Sequence, residues 1–144
     1  WQLVSESSPL APFLVHDRSD CMDNADAARL YSAAKVNANL YRKEITEGGT
    51  ADGWAMGPRE VELAACGAFF LREPRPEGDE LFPMLPTFGS PGEFSDLLRW
   101  WLAHDPERQT AAQAARAAVA DRTFQNTAAR LLRLVDGVGK PVTR

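Results

Sequence analysis

The stretch GWAMGPREVELAACG, residues 53–67, decides the architecture. Pro58 stands where a helix would begin, a position at which its missing N–H costs nothing and its fixed φ suits the first turn. Leu63 and Ala64-Ala65 continue that helix, and Gly67 closes it as a left-handed cap. Upstream, residues 46–57 (TEGGTADGWAMG) hold four glycines and read as a loop. Before the loop, Lys35 to Leu40 alternates with period two and reads as a strand. After the helix, Ala68-Phe69-Phe70-Leu71 is continuously apolar, as in a strand covered on both faces. Strand, glycine-rich loop, helix, strand is the order of a parallel crossover, so the expected class is α/β, with a small parallel sheet flanked by helices.

Outward from this unit, Asp23-Asn24-Ala25-Asp26 offers caps to a helix carrying Ala27, Leu30, Tyr31 and Ala34. Residues 72–80 (REPRPEGDE) read as a polar loop, followed by a short apolar segment at Leu81-Phe82 and a strand near Leu85 to Phe88. Ser90-Pro91-Gly92-Glu93 is a capping box with Pro at the first helical position. Its helix presents Phe94, Leu97, Leu98, Trp101 and Leu102 on one face. Asp105-Pro106 opens an alanine-rich helix, and Thr123 opens a last one with Ala128, Leu131, Leu132 and Val135 in register. Gly137 and Gly139 release the tail. The C-terminus is therefore helix-rich. Residues 1–22 read as an irregular lead-in with one short strand, 23–137 as the folded domain and 138–144 as a tail. The sequence begins at Trp1 without Met, which suggests a processed product or an excised piece.

The totals describe an ordinary globular chain of 144 residues, 44% apolar and 25% charged, long enough for one hydrophobic core. A net charge of −4, with arginines spread along helices and no interleaved aromatics, argues against a nucleic-acid polymer as partner. Cys21 and Cys66 lie 45 residues apart with only His16 and His104 for company, which leaves no metal set and weak grounds for a disulfide. Buried free thiols in a reducing cytoplasm are expected. Neither a signal peptide nor a membrane span is expected.

Chemistry concentrates at the start of the central helix. Loops at the carboxyl ends of strands line the ligand crevice of an open α/β sheet. A helix N-terminus there offers unpaired N–H groups and a partial positive charge to an anion. Gly57 lets a phosphate approach the backbone, and Arg59 adds a charge-assisted contact. Glu62, one turn deeper on the same face, has two oxygens to accept both hydroxyls of a ribose. The same spacing equally permits an exposed ion pair between Arg59 and Glu62, without any ligand.

The series Arg59-x-x-Glu62-Leu63-Ala64-Ala65-Cys66-Gly67, followed by an apolar strand, resembles GT-B glycosyltransferases of the CgeB-like spore-protein group. These are related to the large retaining family whose helix reads Glu-Ala-x-Ala-x-Gly. Tyr31-x-x-Ala34-Lys35-Val36-x-x-Asn39, Glu80-Leu81-Phe82, the helix at Phe94 to Leu102 and the two closing helices follow in the family's order, over roughly residues 27–136. The resemblance implies a Rossmann-like C-terminal half of a GT-B fold, transferring a sugar from a nucleotide-diphosphate sugar to an unknown acceptor. It implies Glu62 on the ribose, the Gly57–Arg59 helix start on the diphosphate, and Asn39 and Arg42 lining the same crevice. Catalysis would rest on Arg59 and the helix start stabilising the departing diphosphate, with no separate cofactor and, since no Asp-x-Asp occurs, no obligatory Mg²⁺. The acceptor half would come from a missing N-terminal domain or a partner chain, so the chain alone is expected to bind donor without turnover. One departure stands out: the larger family carries an acid eight positions before the helix glutamate, and Trp54 occupies it here. The alternative reading is a binding or assembly module that kept the fold without the reaction.

Remaining candidates have plainer readings. His16-Asp17-Arg18 reads as surface loop, and Trp100-Trp101 as one core and one half-exposed ring. His104 ends a helix, and the charges between Arg72 and Glu80 read as solvated.

Overall fold

The computed structural model describes residues 22–41, 45–46, 49–50 and 53–138. Among them run α1 (Asn24–Ala33), β1 (Asn37–Asn39), β2 (Ile45–Thr46), β3 (Gly49–Thr50), α2 (Pro58–Ala65) and β4 (Phe70–Arg72). Four helices follow: α3 (Pro76–Leu81), α4 (Pro91–Ala103), α5 (Asp105–Ala118) and α6 (Phe124–Val138). The lead-in with its expected strand, and the His16-Asp17-Arg18 group, lie outside the described residues.

The expected α/β class is what forms. Strands β1 and β4 pair in parallel, Asn37 opposite Phe70 and Asn39 opposite Arg72. The connection between them contains α2, as a parallel pair requires. A parallel bridge from Arg72 to Thr87 adds a third line, with Phe88 N donating to the Arg72 carbonyl at 3.0 Å. The strand expected near 85–88 is thus reduced to a single bridge. The sheet is covered on both faces: Phe70 meets Phe82 edge-on, and Phe69 meets Trp101 of α4 at 4.5 Å between ring centroids. Leu63, Ala64, Leu71 and Ala115 complete a core in which α5 packs against α2 and α4.

Caps set the helix boundaries. The Asp23 carboxylate accepts from Ala25 N at 2.6 Å, Ser90 Oγ from Glu93 N at 3.2 Å and Thr123 Oγ1 from Asn126 N at 3.1 Å. Gly67 has φ +70°, the left-handed turn that ends α2 and aims the chain into β4. Trp101 packs against the core, Trp100 is 45% exposed, and His104 Nδ1 meets the Trp100 carbonyl at the end of α4.

Three expectations are corrected. Residues 46–57 are not all loop, because β2 and β3 pair antiparallel with Ile45 opposite Thr50. Two residues lie between Thr46 and Gly49, the spacing of the shortest hairpins. Residues 72–80 are not a solvated loop: Pro76 starts α3, Gly78 is its buried residue, and the Arg72 side chain is 1% exposed. Charge content concealed a helix that needed only one buried side. Finally, α6 runs through Gly137 to Val138, since one interior glycine costs a helix only about 1 kcal/mol.

Helix α6 stands apart from the core. Phe124 is 95% exposed, and Leu131, Leu132, Leu134 and Val135 are all exposed.

Candidate functional site

Tyr41, just beyond β1, ties the carboxyl edge of the sheet together. Its backbone N–H donates to Glu73 Oε2 at 2.7 Å, immediately past β4. Its phenol donates to Glu60 Oε1 and accepts from Gly57 N at 3.3 Å, at the start of α2. In an ordinary capping box the third helical residue would itself take the cap N–H. Here the phenol is interposed between the two. Burial, and then the bond to the Glu60 carboxylate, push the Tyr41 phenol well above its ordinary value.

Glu60 is the residue the sequence reading passed over. It is fully buried, and its other bond comes from Asn39 Nδ2 at 3.0 Å. Beside it lies Arg72, whose guanidinium bonds Asp79 at 2.6 Å. Glu60 Oε2 and Arg72 Nη1 face one spot over Gly78, where a Cβ would come within 3.1 Å and 2.8 Å of them. Neither atom has a hydrogen-bond partner among the described residues. The signal for Glu60 was available in the sequence: positions 60, 63 and 64 share a helix face, and Leu63 and Ala64 are core.

The candidate site residues divide into two groups. Gly57 caps α2, and its N–H is already taken by Tyr41. Asn39 is buried, with its amide committed to Glu60. Arg59 and Glu62 are instead both exposed, one turn apart on α2, with Nε to Oε2 at 3.7 Å. The Arg59 guanidinium also sits 5.9 Å from the Tyr31 ring centroid. The ion pair that the spacing allowed therefore exists, and its exposure keeps it weak, at about 0.5 kcal/mol or less. Weak pairing leaves both side chains available to a ligand. Arg42 lies outside the described residues.

Around the α2 start, the Met56 N–H donates to Glu77 Oε2 at 3.0 Å and Glu60 N to the Gly57 carbonyl at 3.2 Å. Carboxylates thus hold part of the ground that an anion would use. A second concavity opens on the same edge, a cleft of about 200 Å³ between Leu40, Glu73, Phe88 and the start of α4 at Ser90-Pro91. No three His, Cys, Asp or Glu side chains gather into a metal-ligand group among the described residues. No helix among them is long and apolar enough to cross a membrane.

A helix-rich α/β domain with a cleft at the carboxyl edge of its parallel strands has the architecture in which open α/β sheets bind ligands across strand ends. The chain belongs to the glycosyl transferase-like family, which it matches over residues 8–133, and is a glycosyltransferase domain. Among curated proteins and among solved structures no match is found.

Proposed function

We propose that the chain is the donor-binding half of a GT-B glycosyltransferase of the CgeB-like group. It holds a nucleotide-diphosphate sugar while a second domain or partner chain presents the acceptor. The observation that carries this reading is the contrast within one turn of α2. Glu60 is sealed into the fold, whereas Arg59 and Glu62 stand exposed beside each other on the opposite face of α2. Glu62 accepts the ribose hydroxyls. Arg59 meets the diphosphate and stabilises the charge that gathers on it as the glycosidic bond to the donor breaks. Arg59 makes this contact through its side chain, because the Gly57 N–H is occupied.

Calorimetric titration of the chain with UDP, GDP, TDP and ADP tests the reading. Micromolar binding of at least one diphosphate, weakened roughly tenfold or more in Glu62→Ala, is the expected outcome. Absence of binding by all four would remove the donor role.

A second reading is favoured by one specific observation: Glu60, Glu77 and the Tyr41 phenol crowd the α2 start. A diphosphate brought close to that backbone would meet negative charge. A non-catalytic binding or assembly module has no such conflict, and it would give silence in the same titration.

A further inference from the structure

We infer that the 200 Å³ cleft beside Glu73 is a nucleobase pocket and that it selects guanine. The inference rests on the donor-binding reading above and adds the identity of the base. Ligand pockets that take a whole drug-sized molecule measure roughly 300–1,000 Å³. At about 200 Å³, this cleft has room for one planar ring system and not for a complete sugar nucleotide. Its walls suit such a ring, with Leu40, Pro91, Phe88 and Phe94 supplying apolar surface and Glu73 and Ser90 the polar groups. Phe88 and Phe94 brace each other at 4.9 Å between centroids, so that wall is preformed.

The position also fits. Tyr41 links Glu73 in the cleft to Gly57 at the α2 start through its own backbone N–H and phenol. Base and phosphates would then lie one tyrosine apart on the same sheet edge.

Glu73 decides which base. Its Oε2 accepts the Tyr41 N–H at 2.7 Å, which fixes the carboxylate at the mouth of β4. A carboxylate only accepts hydrogen bonds. Guanine presents adjacent donors, N1–H and the exocyclic N2 amine, to which one carboxylate can pair through two bonds. Uracil and thymine flank their single N3–H with two carbonyl oxygens, which a carboxylate repels. Adenine and cytosine place a ring acceptor beside their amine. Charged acceptors matched to two donors discriminate strongly, because the wrong base leaves a desolvated carboxylate unpaired.

The test is a competition titration of the full chain with GDP, IDP, UDP, TDP, CDP and ADP, repeated on Glu73→Gln. Glu73→Gln keeps an oxygen for the Tyr41 N–H, and circular dichroism verifies its fold. GDP binding at least tenfold tighter than UDP, TDP, CDP and ADP is expected, with IDP between, since it lacks only the N2 amine. In Glu73→Gln the preference should shrink to a few-fold. Equal or tighter UDP binding, or a guanine preference that survives Glu73→Gln, overturns the base assignment and leaves the donor site standing. If no diphosphate binds, the donor reading falls and this assignment falls with it.

Discussion

Glu60→Ala and Glu62→Ala remove the same side chain from positions two residues apart in α2, and the structure gives them opposite consequences. Glu60 is fully buried and bonds both Asn39 and Tyr41. Its removal strands the Asn39 amide and the Tyr41 hydroxyl in the interior. It also takes the carboxylate from beside Arg72, a guanidinium 1% exposed that keeps Asp79 as its ion-pair partner. Leaving buried donors without their acceptor costs about 1–3 kcal/mol. A domain of this size has about 5–15 kcal/mol in total, so Glu60→Ala should lower the urea midpoint clearly. Glu62 is exposed and loses only its 3.7 Å pair with Arg59, so Glu62→Ala should change stability by less than about 0.5 kcal/mol. Urea unfolding followed by circular dichroism measures both. A Glu60→Ala midpoint indistinguishable from that of Glu62→Ala would refute the reasoning, since it would mean that Glu60 is solvated and the cluster around it does not exist.

Two further substitutions probe the same scaffold. Gly67→Ala places a side chain at φ +70° but meets nothing closer than Arg116 Cδ at 3.7 Å, so its cost is conformational alone, about 1 kcal/mol by urea unfolding. A neutral result would mean that the α2 cap is not left-handed. The second concerns pH. The Tyr41 phenol is held above its ordinary value of 10.0, so the folded state binds that proton more tightly than the unfolded chain. Its contribution is complete below pH 10 and declines as pH rises through the elevated folded value. Tyr41→Phe should therefore flatten the alkaline decline of stability above pH 10. Identical slopes for the two proteins would show that the phenol does not titrate with folding.

Much of this architecture was legible from local rules. Asp23, Ser90 and Thr123 mark helix starts because a short polar side chain reaches the backbone two or three residues on, and the structure uses all three. The apolar run at Ala68–Leu71 announced a strand buried on both faces, and residues 68–71 are all buried. What escaped was polar burial. Arg72 and Glu60 are charged, and charge in isolation predicts exposure. Their burial follows from partners that neighbour them only after folding, such as Asn39 from β1 and Asp79 from α3. Likewise α3 was hidden by six charged residues within 72–80, although Pro76 marked its first turn. For the site, Arg59 and Glu62 were visible as a pattern. Glu73 was passed over because its role comes from a bond across the sheet to Tyr41.

The parallel pairing of β1 with β4 carries a consequence for synthesis on the ribosome. Asn37 meets Phe70 only after the intervening 32 residues exist, and closing a loop of that length costs about 3 kcal/mol in chain entropy. No adjacent segment can pair with β4, since parallel partners are never neighbours in sequence. The run Ala68 to Leu71 emerges with β1 already made as its strand partner, but it waits for α4, which follows it in the chain, to cover its second face. That interval is when the nascent chain is most prone to associate with others. Slowing translation after Ala68 to Leu71 have left the tunnel but before Trp101 has should worsen yield, while slowing it once Trp101 has emerged should not.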